Sequence, residues 1–210
     1  MYRILLKIEM LKVVLFVILL LGTVGVKSQT IVDSNISREQ ALVGTLAPSN
    51  VTDCLAIVDV EYYSMDNRLH RGQIVIDSAL RDDVIAIFEL IKQRQIVIDM
   101  VIPIKCDLPN AETTMANLNN TYGFHYRQAD GEATGLSQHS FGRAIDFNPF
   151  DNPYVYSNGT VIPKGAFYNT QSPKALTLES AIVRKMVEMG WTWGGSWNNQ
   201  KDYMHFEKPK

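Results

Sequence analysis

The sequence predicts a single α+β domain, and three observations carry that expectation. Residues 55–62, 72–77 and 96–104 are rich in β-branched and aromatic side chains, as strands are. Residues 82–94 and 177–189 repeat apolar side chains at helical spacing. Strands and helices follow one another without regular βαβ alternation, which favours a central, mainly antiparallel sheet flanked by helices over a doubly wound parallel sheet.

Taken in order, the chain begins with a leader. Lys7 and Lys12 flank an apolar run over residues 13–21, and Val26-Lys27-Ser28 supplies a compact cleavage site, so residues 1–28 read as a signal peptide. The uncharged run 13–26 is shorter than the roughly 20 residues a membrane span needs. No membrane span is therefore expected to remain after cleavage. No cysteine follows the run, so a lipid anchor is not indicated. Glu9 is unusual in a positive leader segment, and Met10 would make a more ordinary start. Residues 29–49 are polar and read as a linker, leaving 50–210, about 160 residues, as one domain with its own core. A secreted or periplasmic monomer is expected.

Within the domain, the polar turn at Asp66-Asn67 separates the first two strands. His70, in that turn region, reads as exposed. Val84, Ile85, Phe88 and Ile91 then share a helical face, widened by Ile87 and Leu90. Asp82 and Asp83 sit at the start of this helix and Lys92 and Arg94 at its end, as the helix dipole favours. The strand over 96–104 runs into Pro103 and Pro109, and 111–118 reads as a short helix before Asn119-Asn120. Later, Thr177 reads as the N-cap of a helix with Leu178, Ala181, Ile182, Met186 and Met189 on one face, and Gly190 stops it. The stop delivers Trp191, Trp193 and Trp197 into a Gly-rich loop.

The formal net charge is -2, with no basic stripe, so nucleic acid is not an expected partner. Cys54 and Cys106 are the two cysteines. In an exported chain they can close a disulfide worth ~4 kcal/mol over its loop of about 50 residues, or remain two buried thiols. Sequons begin at Asn35, Asn50, Asn119 and Asn158 and read as chance.

The chemistry concentrates in Ser137-Gln138-His139-Ser140-Phe141-Gly142-Arg143-Ala144-Ile145-Asp146, with Asp202-Tyr203-Met204-His205 near the C-terminus. His139, Asp146 and His205 would give a zinc ion two imidazole nitrogens and one carboxylate oxygen, with a fourth position left open, as in catalytic sites. Gly142 permits a sharp turn, and the period of two puts Asp146 on the face opposite Ile145 and Phe147.

The pattern Ser-x-His-x-x-Gly-x-Ala-x-Asp followed by Asp-x-x-His-Phe resembles the zinc D,D-carboxypeptidase and L,D- or D,D-peptidase superfamily, which includes VanY-like enzymes. Residues 120–127, 145–154 and 190–195 look like further family segments, and the resemblance covers residues 58–207. It implies a Hedgehog/D,D-peptidase-like fold and metal-dependent hydrolysis of peptidoglycan peptides containing D-amino acids. It carries general-base character to Asp202 and assigns Arg127 to the oxyanion or a substrate carboxylate. Ser137 matches a position that contacts substrate or orients the ligand loop. Beside the resemblance, Trp193 is the tryptophan expected at the substrate groove, and Glu207, on the strand face of His205, is expected to accept a hydrogen bond from it. His125 shares a strand face with Arg127. Arg143 stands at a variable position and receives no role. A D-Ala carboxypeptidase and an L-Ala-D-Glu endopeptidase both fit; a non-catalytic Hedgehog-type binding domain is the competing class.

Overall fold

The computed structural model describes residues 29–105, 109–130 and 135–210. The expected leader lies outside these residues, and so does Cys106, and with it the pairing of Cys54 and Cys106.

The longest regular feature is the antiparallel hairpin of β2 (Leu55–Tyr63) and β3 (Leu69–Asp77), in register from Leu55↔Asp77 to Tyr63↔Leu69. Asn67 turns the chain between them at φ 58°, a conformation asparagine tolerates better than most side chains. β1 (Ile31–Val32) pairs in parallel with the other edge of β3. As the middle strand, β3 is buried on both faces: Ile74 and Ile76 enter the main core and Val75 a second one.

That second core is made partly by the stretch read as a linker. Ser37 and Gln40 close a capping box on α1 (Arg38–Ala41), and Ala41 is buried with Val51 of α2 (Ser49–Thr52). The side chain of Gln73 accepts from Ser34 Oγ and Ile36 N and donates to Ile36 O, so a polar residue in mid-strand anchors the segment to β3.

On the other face, α3 (Arg81–Gln93) buries Val84, Ile87, Phe88 and Ile91. Ile87 completes this stripe and Ile85 is 36% exposed. The stretch expected as a strand over 96–104 shortens to β4 (Met100–Val101), paired in parallel with β5 (Asn120–Thr121) beyond α4 (Ala111–Asn117). Side chains replace the missing ladder: Ile102 N donates to Asn120 Oδ1, Asn120 Nδ2 to Ile102 O, and Asp99 N to Asn148 Oδ1.

β6 (Ala144–Asp146), β11 (His205–Glu207) and β9 (Thr192–Trp193) form an antiparallel sheet in the order β6-β11-β9. β7 (Tyr154–Val155), β8 (Val161–Ile162) and β10 (Lys201–Asp202) form another, in the order β10-β7-β8. The α+β class holds. In place of one central sheet, hydrogen bonding among the described residues divides the strands into three sheets of three and one of two.

The last helix, α5 (Ala181–Glu188), starts later than Thr177. Thr177 and Ser180 close a turn on each other, and Leu178 is left 66% exposed. Leu176 is buried in its stead, held by donation of its N–H to Asn152 Oδ1. Gly190 at φ 86° ends the helix as expected. α3, α5, Ile145, Phe147 and Phe206 share the main core, which therefore lies directly behind β6 and β11. Among the described residues, no helix is long and apolar enough to cross a membrane.

Candidate metal centre

Two local features bring the three expected ligands together. The first is a 3-10 turn over Gln138–Phe141, whose N-cap Ser137 accepts the His139 N–H at 3.3 Å. Gly142 ends it at φ 64°, and a Cβ there would stand 2.6 Å from Asp77 N, so glycine is required both by its dihedral and by the approach of β3. The second is register. His205 lies directly opposite Asp146 across β11 and β6, while the neighbouring pair Phe206↔Ile145 points into the core. The pleat puts both functional side chains on the other face.

His139 Nε2, Asp146 Oδ1 and His205 Nδ1 form a nearly equilateral triangle with edges of 3.1, 3.1 and 3.0 Å. All three residues are buried. The tautomers follow from the partners on the far side of each ring. His139 Nδ1 faces the Gly123 carbonyl, which only accepts, so Nδ1 carries the proton. His205 Nε2 faces the Glu207 carboxylate at 3.2 Å, so it donates there. In the neutral rings this turns one lone pair of each toward Asp146, and three acceptors converge with no donor among them. A tetrahedral zinc would hold three such atoms about 3.4 Å apart. The donor set fits a divalent metal after a slight widening, and the carboxylate and carbonyl behind the imidazoles are the supports metal-binding histidines use.

Without a cation, protons do this work. Burial opposes charge on His205, yet its hydrogen bonds to Asp146 and Glu207 prevail and raise it to about 10. Burial also opposes ionisation of Asp146, but His139 and His205 hold its carboxyl well below the usual range. Hydrogen bonding to His205 lowers Glu207.

A cleft flanks the triangle on two sides. One cavity of about 400 Å³ is bordered by Ser137, Trp197, Asp202, His205 and Glu207, the other, of about 290 Å³, by Glu112, Tyr122, Asp146, Asp202 and Met204. Arg127, Asp130, Tyr154 and Asp202 border both. Asp202, on β10, is 9% exposed, and its Oδ1 has no hydrogen-bond partner among the described residues. Burial pushes its carboxyl up to about 8, against the pull of His205 and with the push of Asp146.

Arg127 reaches the cleft in the company of carboxylates. Its Nε stands 2.6 Å from Glu112 Oε1 and its Nη1 2.7 Å from Asp130 Oδ2. The N–H at Nε is not aimed along that line, so the Glu112 contact is an ion pair rather than an aligned hydrogen bond. His125 Nδ1 is 3.4 Å from the same carboxylate.

Trp193 belongs elsewhere. It is 4% exposed, donates its indole N–H to Tyr203 O and stacks on Phe206. Pairing of β9 with β11 turns it to the core side, opposite His205. The tryptophan at the cleft is Trp197, whose ring lies 5.6 Å from that of His205. His70, expected at the surface, is buried between Asp33 (2.8 Å) and Asp66 (3.1 Å) because the N-terminal segment covers it. Arg143 also acquires a place: its Nη1 donates to buried Asp77 at 2.7 Å and its Nε to Lys208 O, tying β3, the motif and the C-terminus together. Sequence reading passed over Glu112 and Tyr122. Only the Asn-Thr-Tyr run near Arg127 marked their neighbourhood.

Comparison with known proteins meets this geometry. The family model described as D-alanyl-D-alanine carboxypeptidase matches residues 130–208, a stretch that contains His139, Asp146, Asp202 and His205. Over 73 residues the chain is 34% identical to the peptidoglycan L-alanyl-D-glutamate endopeptidase CwlK of Bacillus subtilis (strain 168), covering 35% of this chain and 40% of that relative. No solved structure matches the chain. The resemblance read from the His139 to Asp146 motif is thus borne out over residues 130–208, which match the D-alanyl-D-alanine carboxypeptidase family.

Proposed function

We propose that the chain is an exported, zinc-dependent peptidase that hydrolyses peptidoglycan stem peptides, acting as an endopeptidase. The observation that carries this reading is the convergence of three buried lone pairs from His139, Asp146 and His205 beside Asp202, whose Oδ1 has no hydrogen-bond partner among the described residues. A zinc ion held by these three would acidify a water and polarise a carbonyl oxygen.

The chain's own residues supply the rest. Gly123 O and Glu207 keep each imidazole in the tautomer that presents its lone pair. Asp202 accepts the proton of the attacking water and returns it to the amine nitrogen as the C–N bond breaks. Burial raises the Asp202 carboxyl to about 8, and a cation held beside it would lower it, favouring the ionised form that takes the proton. Arg127 faces the carbonyl oxygen as its negative charge grows. Ser137 holds the ligand turn and borders the substrate path.

Two features favour an endopeptidase over a carboxypeptidase. The cleft continues on both sides of Asp202 and Arg127, which suits a chain running through. The charge of Arg127 is already matched by Glu112 and Asp130, leaving it poorly placed to fix a terminal carboxylate. The endopeptidase relative points the same way, to the L-Ala-D-Glu bond. A non-catalytic binding domain on a Hedgehog-like scaffold would gain nothing from Asp202, a desolvated carboxyl beside intact ligands.

The test is digestion of soluble muropeptides with added zinc or with chelator, read by mass spectrometry. Metal-dependent cleavage between L-Ala and D-Glu is expected. Loss of a single D-Ala would instead make the protein a carboxypeptidase, and no product from any metal-loaded preparation would support the binding-domain class.

A further inference from the structure

Glu112 sits in the first turn of α4, outside the motif and outside residues 130–208. Its carboxylate nonetheless gathers three groups of the cleft. Arg127 Nε is 2.6 Å from Oε1, Tyr122 donates its hydroxyl to Oε1 at 3.0 Å, and His125 Nδ1 is 3.4 Å from Oε2. The Tyr122 ring in turn stacks on His139, with centroids 4.9 Å apart and planes 26° from parallel. One carboxylate thereby connects the arginine of the cleft to the ring of a candidate ligand. Burial opposes the ionised form of Glu112, but His125 and Arg127 lower it below its ordinary range, so it stays charged.

The need for such a brace follows from what else Arg127 meets. It borders the same cavity as Asp146 and Asp202, two carboxylates that hydrolysis requires to be available. A guanidinium on a flexible stem pairs with a carboxylate through two parallel hydrogen bonds when geometry allows. Bound to Asp202 it would occupy the proton acceptor; bound to Asp146 it would compete with a metal. Asp130 alone is the weaker restraint, since its side chain is 45% exposed against 28% for Glu112.

We infer that Glu112 is a positioning residue: it holds Arg127 away from Asp146 and Asp202, aimed at the substrate carbonyl, and fixes Tyr122 against His139. The inference rests on the peptidase reading for its consequence in turnover, and on the structure alone for the restraint itself.

The experiment has two arms that fail separately. In the first, side-chain NMR of the metal-loaded full chain measures the order parameter of the Arg127 Nε–H vector, which reports how firmly the ion pairs hold the side chain. A value near that of rigid backbone, about 0.85, is expected in the wild type, falling below about 0.6 in Glu112→Gln and falling less in Asp130→Asn. A wild-type value below about 0.6 overturns the brace, whatever the activity, and remains decisive should Glu112→Gln fail to fold. The second arm is a double-mutant cycle in muropeptide hydrolysis. Glu112→Gln should lower kcat about 10- to 100-fold, the scale of a small misplacement of a reacting group, with KM within about twofold and zinc stoichiometry unchanged. In an Arg127→Ala background the same change should cost less than about twofold more, because the residue it positions is gone. Additive losses, or an undiminished kcat in Glu112→Gln, would overturn the inference. A wild type with an ordered Arg127 side chain and no turnover would sink the peptidase reading and leave the restraint standing.

Discussion

Replacing Asp202 with asparagine should abolish hydrolysis and, in the metal-free protein, raise stability. Asp202 titrates near 8 in the fold against an ordinary 3.8. A carboxyl with a raised folded pKa contributes most below its unfolded pKa, and that contribution drains away as pH rises through the folded value. The penalty of keeping the wild-type group should therefore grow from nothing near pH 4 to its full size above pH 8. About four units at 1.36 kcal/mol each set a ceiling of about 5 kcal/mol, which relaxation and water entry trim to about 2–4 kcal/mol. For a domain of this size that is a rise in Tm of about 5–15 °C. Thermal melts of wild type and Asp202→Asn at pH 4 and pH 9, with chelator and with saturating zinc, read it directly. The gain should be largest at pH 9 with chelator, absent at pH 4, and small with zinc, whose charge already favours the ionised carboxylate. An Asp202→Asn protein that melts lower than wild type at pH 9 without metal would refute the reasoning, because Asp202 would then be held by favourable partners. Near wild-type turnover would require another base.

Metal affinity should rise about tenfold per pH unit below pH 10, since His205, raised to about 10 without a cation, must lose its proton to become a ligand. Competition with a chromophoric chelator at pH 6, 7 and 8 measures this, and a flat profile would remove His205 from the ligand set; His139→Ala should lose stoichiometric zinc at every pH. Arg143→Met should cost about 3–5 kcal/mol by leaving Asp77 buried without its countercharge, read as a fall in the urea midpoint at unchanged slope, and a midpoint within error of wild type would show that water reaches Asp77.

The candidate ligand triangle was legible because most of its determinants are local. A turn-forming glycine at Gly142, an alternating strand at β6 and a repeat of that alternation at β11 each leave a mark within a few residues. Thus Glu207 could be expected behind His205 from spacing alone, and its carboxylate stands 3.2 Å from Nε2. The helix α3 announced itself by period, and only its edge differed: Ile85 and Ile87 flank the stripe of Val84, Phe88 and Ile91 on opposite sides, and which one turns inward depends on where the helix docks on the hairpin.

Period, φ preference and short-range motifs were enough for the sequence to determine the α+β class and the turn and stop glycines Gly142 and Gly190, and, with the downstream Asp-x-x-His, to single out His139, Asp146 and His205 as a candidate set. Tertiary structure alone decided that Trp197 and not Trp193 meets the cleft, that His70 is enclosed by Asp33 and Asp66, that Arg143 pairs with Asp77 and that Glu112 holds Arg127. Each of these joins residues from different elements, such as the 66 positions between Asp77 and Arg143. A charged or aromatic side chain has the same local signature whether it ends in solvent, in the core or against an opposite charge. Its partner is chosen when the elements pack, by burial that no short stretch of sequence contains.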